Sequence, residues 1–281
     1  MTERVAIIGG GKIGEALLAG LVSSGKPVKD LVVSERNAKR GDEIAQEYGV
    51  LVTDVRAAAE SATVVVIAVK PDAVDGVLRE ISRASDDGDS ERVTVTLVAG
   101  LPTAVYEAAL PAGSPVIRVM PNTAMLVNES MSVLSPGRYV TDEQVEKVSD
   151  LLGAVGKVSV LPEKLMDAVT AISGSGPAYV FLMAEAMIDA GVGLGLTRVQ
   201  AAELAVQTIR GAGMLLSESG LSPVDLRAAV TSPGGTTAEA IREFEANGFR
   251  HAFYQATRAC AAASAVHSRR VDLEGSSQPN N

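Results

Sequence analysis

The feature that most constrains the fold is a glycine-rich turn near the N-terminus. It has the pattern G-x-G-x-x-G over residues 9–14 and ends the short apolar run RVAIIGG (4–10). Residues 12–24 follow with apolar side chains at helical spacing. The glycine pattern alone is weak, but a strand, this turn and a helix in succession are the context it requires. The sequence therefore predicts that the chain opens with the first βα unit of a doubly wound sheet.

The alternation of strand and helix patterns continues to about residue 162. Short apolar runs typical of buried parallel strands alternate with segments of helical spacing. The predicted strands are 4–10, 30–35, 50–53, 63–69, 92–100, 114–120 and 156–162, and the predicted helices are 12–24, 37–49, 54–60, 71–84, 102–109 and 141–156. This α/β order predicts a Rossmann-type doubly wound parallel sheet with right-handed crossovers. The polar stretch SDDGDSER (85–92) is predicted to be a solvated loop.

From Glu163 onward the sequence carries helical patterns and no strand signal. The predicted helical segments are 163–216, interrupted at GSGP (174–177), then 222–230 and 236–270. We therefore expect three parts: a dinucleotide-binding domain at 1–162, an all-α domain at 163–270 and a flexible polar tail at 271–281. The helices are apolar on too many sides for a monomer surface. They are either wrapped within their own bundle or buried against another subunit, and we favour a homo-oligomer.

Composition excludes several classes of function. The formal net charge of −9 disfavours a nucleic-acid partner, because phosphate contacts need a basic face. We expect no export signal in MTERVAIIGG and no apolar run near the roughly 20 residues of a membrane span. The single cysteine, Cys260, and the two histidines, His251 and His267, show no ligand spacing, so no metal site is expected. These features favour a cytoplasmic protein.

The glycine turn indicates a dinucleotide site. Gly9 makes the tight turn, Gly11 lets the backbone approach a pyrophosphate, and Gly14 lets the helix approach the strand. The pyrophosphate then lies at the helix N-terminus, where free N–H groups and the dipole favour it. The alternative is a glycine-rich turn that binds nothing. The cofactor contacts expected in this segment are Ile8, Gly9, Gly10, Gly11, Lys12, Ile13 and Gly14.

The residues after the second strand bear on which dinucleotide binds. NAD-type sites place a carboxylate about 20 residues past the glycines. That count reaches Ser34, and Glu35, one position on, is expected to face the other way. Arg36, Lys39 and Arg40 follow, so Ser34 with Arg36 favours NADPH, with NADH possible. The alternative is that these cations form only a solvated helix start.

Three further strand ends should border the same cofactor, because ligands bind outside the carboxyl ends of parallel strands. Lys70 has the chemistry of a general acid, but the following proline favours a structural or phosphate-facing role. The residues expected along the cofactor are Ala68, Val69, Lys70 and Pro71, then Ala99 and Gly100, then Met120 and Asn122 near the nicotinamide.

Three motifs behind the glycine turn resemble those of pyrroline-5-carboxylate reductases: RVMPNTA (118–124), ISGSGPAYVF (172–181) and VTSPGGTT (230–237). The resemblance covers about residues 4–268. It implies reduction of the C=N bond of 1-pyrroline-5-carboxylate by NADPH or NADH to give L-proline, the last step of proline biosynthesis. It also implies a helical domain that builds a homodimer or a higher homo-oligomer such as a decamer, with the active site between the two domains.

The chain departs from this family's pattern after residue 123. Ala124 stands where the family commonly has proline, and Asn128 and Ser130 stand where it often has glycine. Asn128 can still take a left-handed conformation, whereas Ser130 is less permissive. We therefore expect this loop to close differently.

The SPGGTT loop (232–237) suits the substrate carboxylate, since glycines expose backbone N–H groups at a helix N-terminus. The resemblance assigns Thr237 as the residue that hydrogen-bonds the ring nitrogen, so we expect it to act by positioning. The alternative is structural, because Thr236 and Glu239 match a capping box. The residues expected at the substrate are Ser232, Gly234, Gly235, Thr236, Thr237 and, as a weaker candidate, Glu163.

Two other functions fit the first domain less well. A two-domain 3-hydroxyacid dehydrogenase needs a catalytic lysine on the first long helix of the helical domain, and no lysine follows residue 173. A non-catalytic dinucleotide sensor would have no reason to keep SPGGTT.

Overall fold

The computed structural model describes residues 3–60, 62–84 and 92–275. The loop predicted at 85–92 therefore lies, except for Arg92, outside the described residues. The described strands are β1 Val5–Ile8, β2 Leu31–Ser34, β3 Leu51–Thr53, β4 Val64–Ile67, β5 Val93–Thr96, β6 Val116–Met120, β7 Ser130–Pro136 and β8 Gly156–Val160. The described α-helices are α1 Lys12–Ser23, α2 Ala38–Tyr48, α3 Val55–Glu60, α4 Val74–Arg83, α5 Thr103–Ala109, α6 Asp142–Gly153, α7 Met166–Val169, α8 Gly176–Gly193, α9 Arg198–Glu218, α10 Pro223–Ala229, α11 Thr236–Ala246 and α12 Phe249–Gly275.

The strands form one eight-stranded sheet in the order β3-β2-β1-β4-β5-β6-β7-β8. Strands β1 to β6 are parallel, with Val5 of β1 level with Leu31 of β2 and Val64 of β4. All residues of β1, β2, β4 and β5 are buried, and β1 and β4 are accordingly continuous apolar runs in the sequence. The predicted doubly wound sheet is confirmed.

Two apolar cores lie on opposite faces of the sheet, because successive strand residues point to opposite sides. Val5 and Ile7 belong to a core that includes α1, α2 and α6, whereas Ala6 and Ile8 belong to one that includes α3, α4 and α5. Residues at the ends of two helices set where those helices begin or end, and both were recognisable in the sequence. Gly49 closes α2 with φ 69°, and Thr141 with Gln144 forms the capping box that begins α6.

Strand β7 was not predicted, and it makes the sheet mixed. It pairs antiparallel with β6 and parallel with β8. Its serines break the apolar pattern, yet Ser130, Ser132 and Ser135 are all buried. The hydroxyl of Ser135 donates to the Leu161 carbonyl oxygen, which satisfies its polar group inside the sheet layer.

The helical segments break where glycines take left-handed backbone. Gly195, with φ 101°, separates α8 from α9, and Gly248, with φ 75°, separates α11 from α12. The helical segments predicted at 163–216 and 236–270 therefore each contain a break that was not predicted. Within the predicted interruption at GSGP (174–177), a π-helical turn, Thr170–Gly174, ends, Ser175 lies outside any helix, and α8 begins at Gly176. Helix α12 reaches Gly275, so residues 271–275 of the expected tail are helical and 276–281 lie outside the described residues.

The chain divides into two compact units, Met1–Ser175 with Cys260–Asn281, and Gly176–Ala259. Our sequence-based boundary near residue 162 marks the last strand. The division falls later because Met166 and Val169 pack with Met120 and Val133 of the sheet. Within the first unit, the thiol of Cys260 lies 3.3 Å from the hydroxyl of Ser175.

The second unit exposes much apolar surface. Helix α8 holds no buried residue in the described chain, and Phe181 and Leu182 are 63% and 66% exposed. The helical stretch Glu163–Gly193 is long and apolar enough for a membrane span when length and composition alone are considered. The expectation that no apolar run approaches this length is wrong on that measure.

Candidate functional site

The glycine turn has the geometry that the three glycines of the G-x-G-x-x-G pattern require. Gly9 has φ 109°, and a Cβ there would lie 2.7 Å from the Ala68 carbonyl oxygen. A Cβ on Gly14 would collide with the Gly9 carbonyl oxygen. A Cβ on Gly11 would have no described atom within 4 Å, so the backbone there is open to a ligand. The turn therefore combines two sterically fixed glycines with one approachable position.

An open cleft of about 620 Å³ lies at this turn and at the start of α2. Its size and its place at the glycine turn fit the adenosine end of a dinucleotide. Among the predicted residues, Gly10, Gly11 and Lys12 line it, while Arg36 is exposed and is not among the described residues that do. The described lining residues are Gly10, Gly11, Lys12, Glu15, Glu35, Asn37, Lys39, Arg40 and Glu43.

Glu35 faces the glycine turn, which corrects our expectation. Its Oε2 accepts from the Gly10 N–H at 2.8 Å and its Oε1 accepts from the Asn37 N–H at 2.8 Å. Ser34, by contrast, is only 6% exposed. Strand β2 ends at Ser34, so the two-residue alternation no longer applies one position later. An acidic residue directly after the second strand was the signal that we set aside.

Arg40 is held against the cleft by two carboxylates and one carbonyl group. It pairs with Glu15 and, at 3.2 Å, with Glu43, and its Nε donates to the Gly10 carbonyl oxygen at 3.2 Å. The hydrogen bonds that Arg40 donates to Glu15 and Glu43 raise its pKa. The Arg40 side chain is thus bonded to the glycine turn. The alternative, that Arg40 is only a solvated residue at the start of α2, does not describe it.

The other predicted cofactor contacts follow the carboxyl ends of β4, β5 and β6, the edge where the glycine turn follows β1. Lys70 is exposed and precedes a 3-10 turn that begins at Pro71. Gly100 has φ 86°, and Ala99 before it is exposed. The sheet therefore brings residues 68–71, 99–100 and 120–122 to one edge.

Asn122 ties this edge to the π-helical turn. Its Nδ2 donates to the Ser173 carbonyl oxygen at 3.0 Å, and its Oδ1 accepts from the Ala124 N–H at 3.1 Å. A Cβ on Gly174 would lie 3.3 Å from the sulfur of Met120. Gly174, the first residue of GSGP, therefore packs on the end of β6, where the sequence predicted the nicotinamide.

The loop after residue 123 closes around Asn128. This residue has φ 59°, and it is the only non-glycine residue with positive φ in the described chain. Ser130 begins β7, and its hydroxyl accepts from the Asn122 N–H at 3.2 Å. A serine is therefore accommodated here as a strand residue.

Glu163 lies in the first unit, which contains the sheet, and its carboxylate already accepts hydrogen bonds. Oε1 accepts from the Thr103 N–H and Oε2 from the Thr103 hydroxyl, each at 2.8 Å. The buried Arg118 pairs with the same carboxylate at 3.2 Å. Glu163 is therefore better placed to hold Thr103 of α5 and Arg118 of β6 than to contact a ligand directly.

The SPGGTT loop belongs to the second unit and begins α11. Gly234 has φ 67°, and the Ser232 carbonyl oxygen accepts from the Gly235 N–H at 3.0 Å. The N-cap is Gly235, and α11 has no side-chain cap among the described residues, so the capping box of Thr236 and Glu239, the structural alternative, does not form. Thr236 is exposed and Thr237 is half-buried at the first turn of α11. The loop thus has hydroxyls that helix capping does not explain.

No group of three or more potential metal-binding side chains occurs among the described residues. The described part of the site therefore consists of backbone amides, hydroxyls, carboxylates and cations.

Comparisons with known proteins agree over almost the whole chain. Residues 163–266 match the family described as pyrroline-5-carboxylate reductase dimerisation, and residues 4–100 match the family described as NADP oxidoreductase, coenzyme F420-dependent. The pyrroline-5-carboxylate reductase of Mycobacterium tuberculosis is 50% identical over 93% of this chain and 95% of its own length. That of Corynebacterium melassecola is 49% identical over 92% and 96%.

Solved structures give the same result. The pyrroline-5-carboxylate reductase of Coxiella burnetii has a TM-score of 0.91 at 34% identity, covering 95% of this chain and 99% of that one. The Plasmodium falciparum pyrroline carboxylate reductase, solved with NADP bound, has a TM-score of 0.83 at 29% identity, covering 95% and 98%. With this identity across nearly its full length, the chain belongs to the pyrroline-5-carboxylate reductase family.

Proposed function

We propose that this chain reduces the C=N bond of 1-pyrroline-5-carboxylate with NADPH, or with NADH, to give L-proline. The observation that carries this function is the 50% identity, over 93% of the chain, with a protein named for that activity. The glycine turn and its cleft supply a site of the kind that a nicotinamide dinucleotide needs.

We propose that the cofactor lies along the carboxyl edge of the sheet. The dihydronicotinamide supplies the hydride for the imine carbon. The turn would hold the pyrophosphate with backbone N–H groups, while Met120 and Asn122 would border the nicotinamide. Ser34 and Arg36 stay candidates for the ribose end, together with the strand ends at 68–71 and 99–100.

The SPGGTT loop would hold the substrate. Ser232, Gly234, Gly235 and Thr236 offer N–H and O–H donors to the carboxylate at the N-terminus of α11. The hydroxyl of Thr237 would orient the ring nitrogen, which gains a proton as the carbon gains hydride. Threonine is a weak acid, so this role is positioning rather than acid catalysis. Glu163 would not contact the substrate and would act indirectly, by holding Arg118 of β6.

The match of residues 163–266 to a dimerisation family supports a homo-oligomer, and it includes the exposed apolar helix α8. We propose a homodimer, or a higher assembly such as a decamer, in which this surface is covered by another subunit. The same burial accounts for the apolar stretch Glu163–Gly193 without a membrane. We propose a cytoplasmic enzyme that binds no nucleic acid, with domains at 1–162 and 163–270.

The test is to mix purified protein with 1-pyrroline-5-carboxylate and NADPH, then with NADH. Loss of reduced-nicotinamide absorbance together with proline formation is the expected result. A protein that binds either cofactor but forms no proline would contradict the proposed reaction.

A further inference from the structure

We infer that Glu35 sets the choice between NADH and NADPH in this chain and disfavours a 2′-phosphate. This inference rests on the proposed function, because it concerns the cofactor of that reaction. It differs from our reading of the sequence, in which Ser34 and Arg36 favoured NADPH.

The first argument is position. Glu35 directly follows β2, the strand beside β1, and its carboxylate accepts from the Gly10 N–H at 2.8 Å. A carboxylate at this place in a doubly wound sheet binds the ribose 2′-hydroxyl of NAD. The second bond, from the Asn37 N–H at 2.8 Å, fixes the side chain toward the turn. The acceptor is therefore preorganised where a ribose hydroxyl needs it.

The second argument is charge. A 2′-phosphate carries nearly two negative charges at neutral pH, and a neighbouring carboxylate repels it. The described lining of the cleft has no excess of positive charge for a phosphate, because three carboxylates accompany three cations. These side chains are Glu15, Glu35, Glu43, Lys12, Lys39 and Arg40.

The third argument concerns the arginine that NADP sites use for the 2′-phosphate. Arg40 is the arginine among the described lining residues, and it is engaged by Glu15, Glu43 and the Gly10 carbonyl oxygen. A 2′-phosphate that used Arg40 would compete with those partners, whereas a ribose diol would not.

The test measures binding with fragments that differ only in the 2′-phosphate. Titration calorimetry with 5′-AMP and with 2′,5′-ADP gives two affinities for each protein. Wild type should bind 5′-AMP at least as tightly as 2′,5′-ADP. Glu35→Gln, which keeps an acceptor for the Gly10 N–H, should raise the affinity for 2′,5′-ADP relative to 5′-AMP about tenfold, the scale of one charged hydrogen-bonding partner.

Asp42→Asn is the matched control, because Asp42 is exposed on the same helix and is not among the described lining residues. It removes one negative charge and should leave the affinity ratio within about twofold, the scale of an exposed surface charge. An unchanged ratio in Glu35→Gln, or an equal change in Asp42→Asn, would overturn the inference. Failure of wild type to bind either fragment would overturn it too.

Proline formation by the same wild-type preparation separates the two proposals. An enzyme that makes proline while Glu35→Gln leaves the affinity ratio unchanged retains its proposed function and loses only the role of Glu35.

Discussion

Glu163 binds Thr103 twice, through the backbone N–H and through the hydroxyl, each at 2.8 Å. These bonds join the 3-10 turn after β8, Glu163–Leu165, to the first turn of α5. The same carboxylate pairs with Arg118, whose Nε and Nη2 are buried without a hydrogen-bond partner among the described residues. The Glu163 carboxylate therefore accepts hydrogen bonds from two elements, α5 and β6, that are distant from it in sequence.

Glu163→Ala should lower the free energy of unfolding by about 2–4 kcal/mol, because it leaves the buried Arg118 charge unpaired and removes two charged hydrogen bonds. Urea unfolding at a fixed protein concentration measures the change. Lys164→Ala, at the exposed next position, should stay within about 0.5 kcal/mol. Equal stability of the two variants would show that the network is not stabilising.

Gly11→Ala should fold normally and bind cofactor poorly. Its φ of −72° suits alanine, and a Cβ there meets no described atom within 4 Å. That Cβ would occupy the space through which a pyrophosphate approaches, so dinucleotide affinity should fall at least about tenfold. Calorimetric titration gives the affinity and thermal unfolding gives the stability. Gly14→Ala is the contrast, since it should lower stability through collision with Gly9. Full cofactor affinity in Gly11→Ala would place the pyrophosphate elsewhere.

Thr237→Ala should lower turnover about 10- to 1000-fold, the scale of losing one positioned donor. Thr237→Ser should recover most of the rate, because it restores the hydroxyl. Thr231→Ala is a control in the same loop, since its hydroxyl donates to the Arg227 carbonyl oxygen at 2.6 Å and serves the end of α10. Steady-state rates with saturating cofactor decide the matter, and unchanged turnover in Thr237→Ala would remove this residue from the mechanism.

Stability should fall as the pH rises from about 10 toward 12 because of Tyr106. Burial raises the pKa of Tyr106 to about 12, against the opposing effects of Thr96 and Arg118. A raised pKa in the folded state means that the contribution is complete below the unfolded value of about 10 and is lost as the pH approaches 12. Tyr106→Phe should therefore flatten the pH dependence of the urea midpoint over this interval. Identical slopes for wild type and variant would contradict the assignment to Tyr106.

Phe181→Asp should reduce the size of the assembly measured by light scattering. Phe181 is 63% exposed on α8, and a charge there opposes burial against another subunit. Leu51→Asp is the control, because Leu51 is 56% exposed on β3 at the sheet edge, outside the matched dimerisation residues. An unchanged mass for Phe181→Asp would exclude α8 from the interface.

The sequence predicted those parts of the fold in which one pattern dominates. Strands β1 and β4 are wholly apolar, and the turn at Gly9 has steric needs that only glycine meets. Strand β7 escaped prediction because its buried serines are satisfied by partners that only the folded sheet supplies, such as the Leu161 carbonyl group.

The candidate site, too, could be predicted from the sequence only in part. Periodicity placed Glu35 on the wrong face, because the strand ends one residue earlier and the chain turns there. The roles of Glu163 and Thr103 could not be read from sequence, since sixty positions separate them along the chain. The SPGGTT loop was found because its glycines and hydroxyls exceed what a helix connection needs.

The chain leaves the sheet unit after Ser175 and re-enters it at Cys260, and these two residues touch at 3.3 Å between thiol and hydroxyl. Topologically, Gly176–Ala259 is thus an insertion whose exit and entry points on its host are adjacent. Neighbouring chain ends are the arrangement in which domain insertion is tolerated. A linker of a few residues between positions 175 and 260 would keep the chain of the dinucleotide-binding unit continuous, but it would divide α12, which runs across the boundary from Phe249 to Gly275.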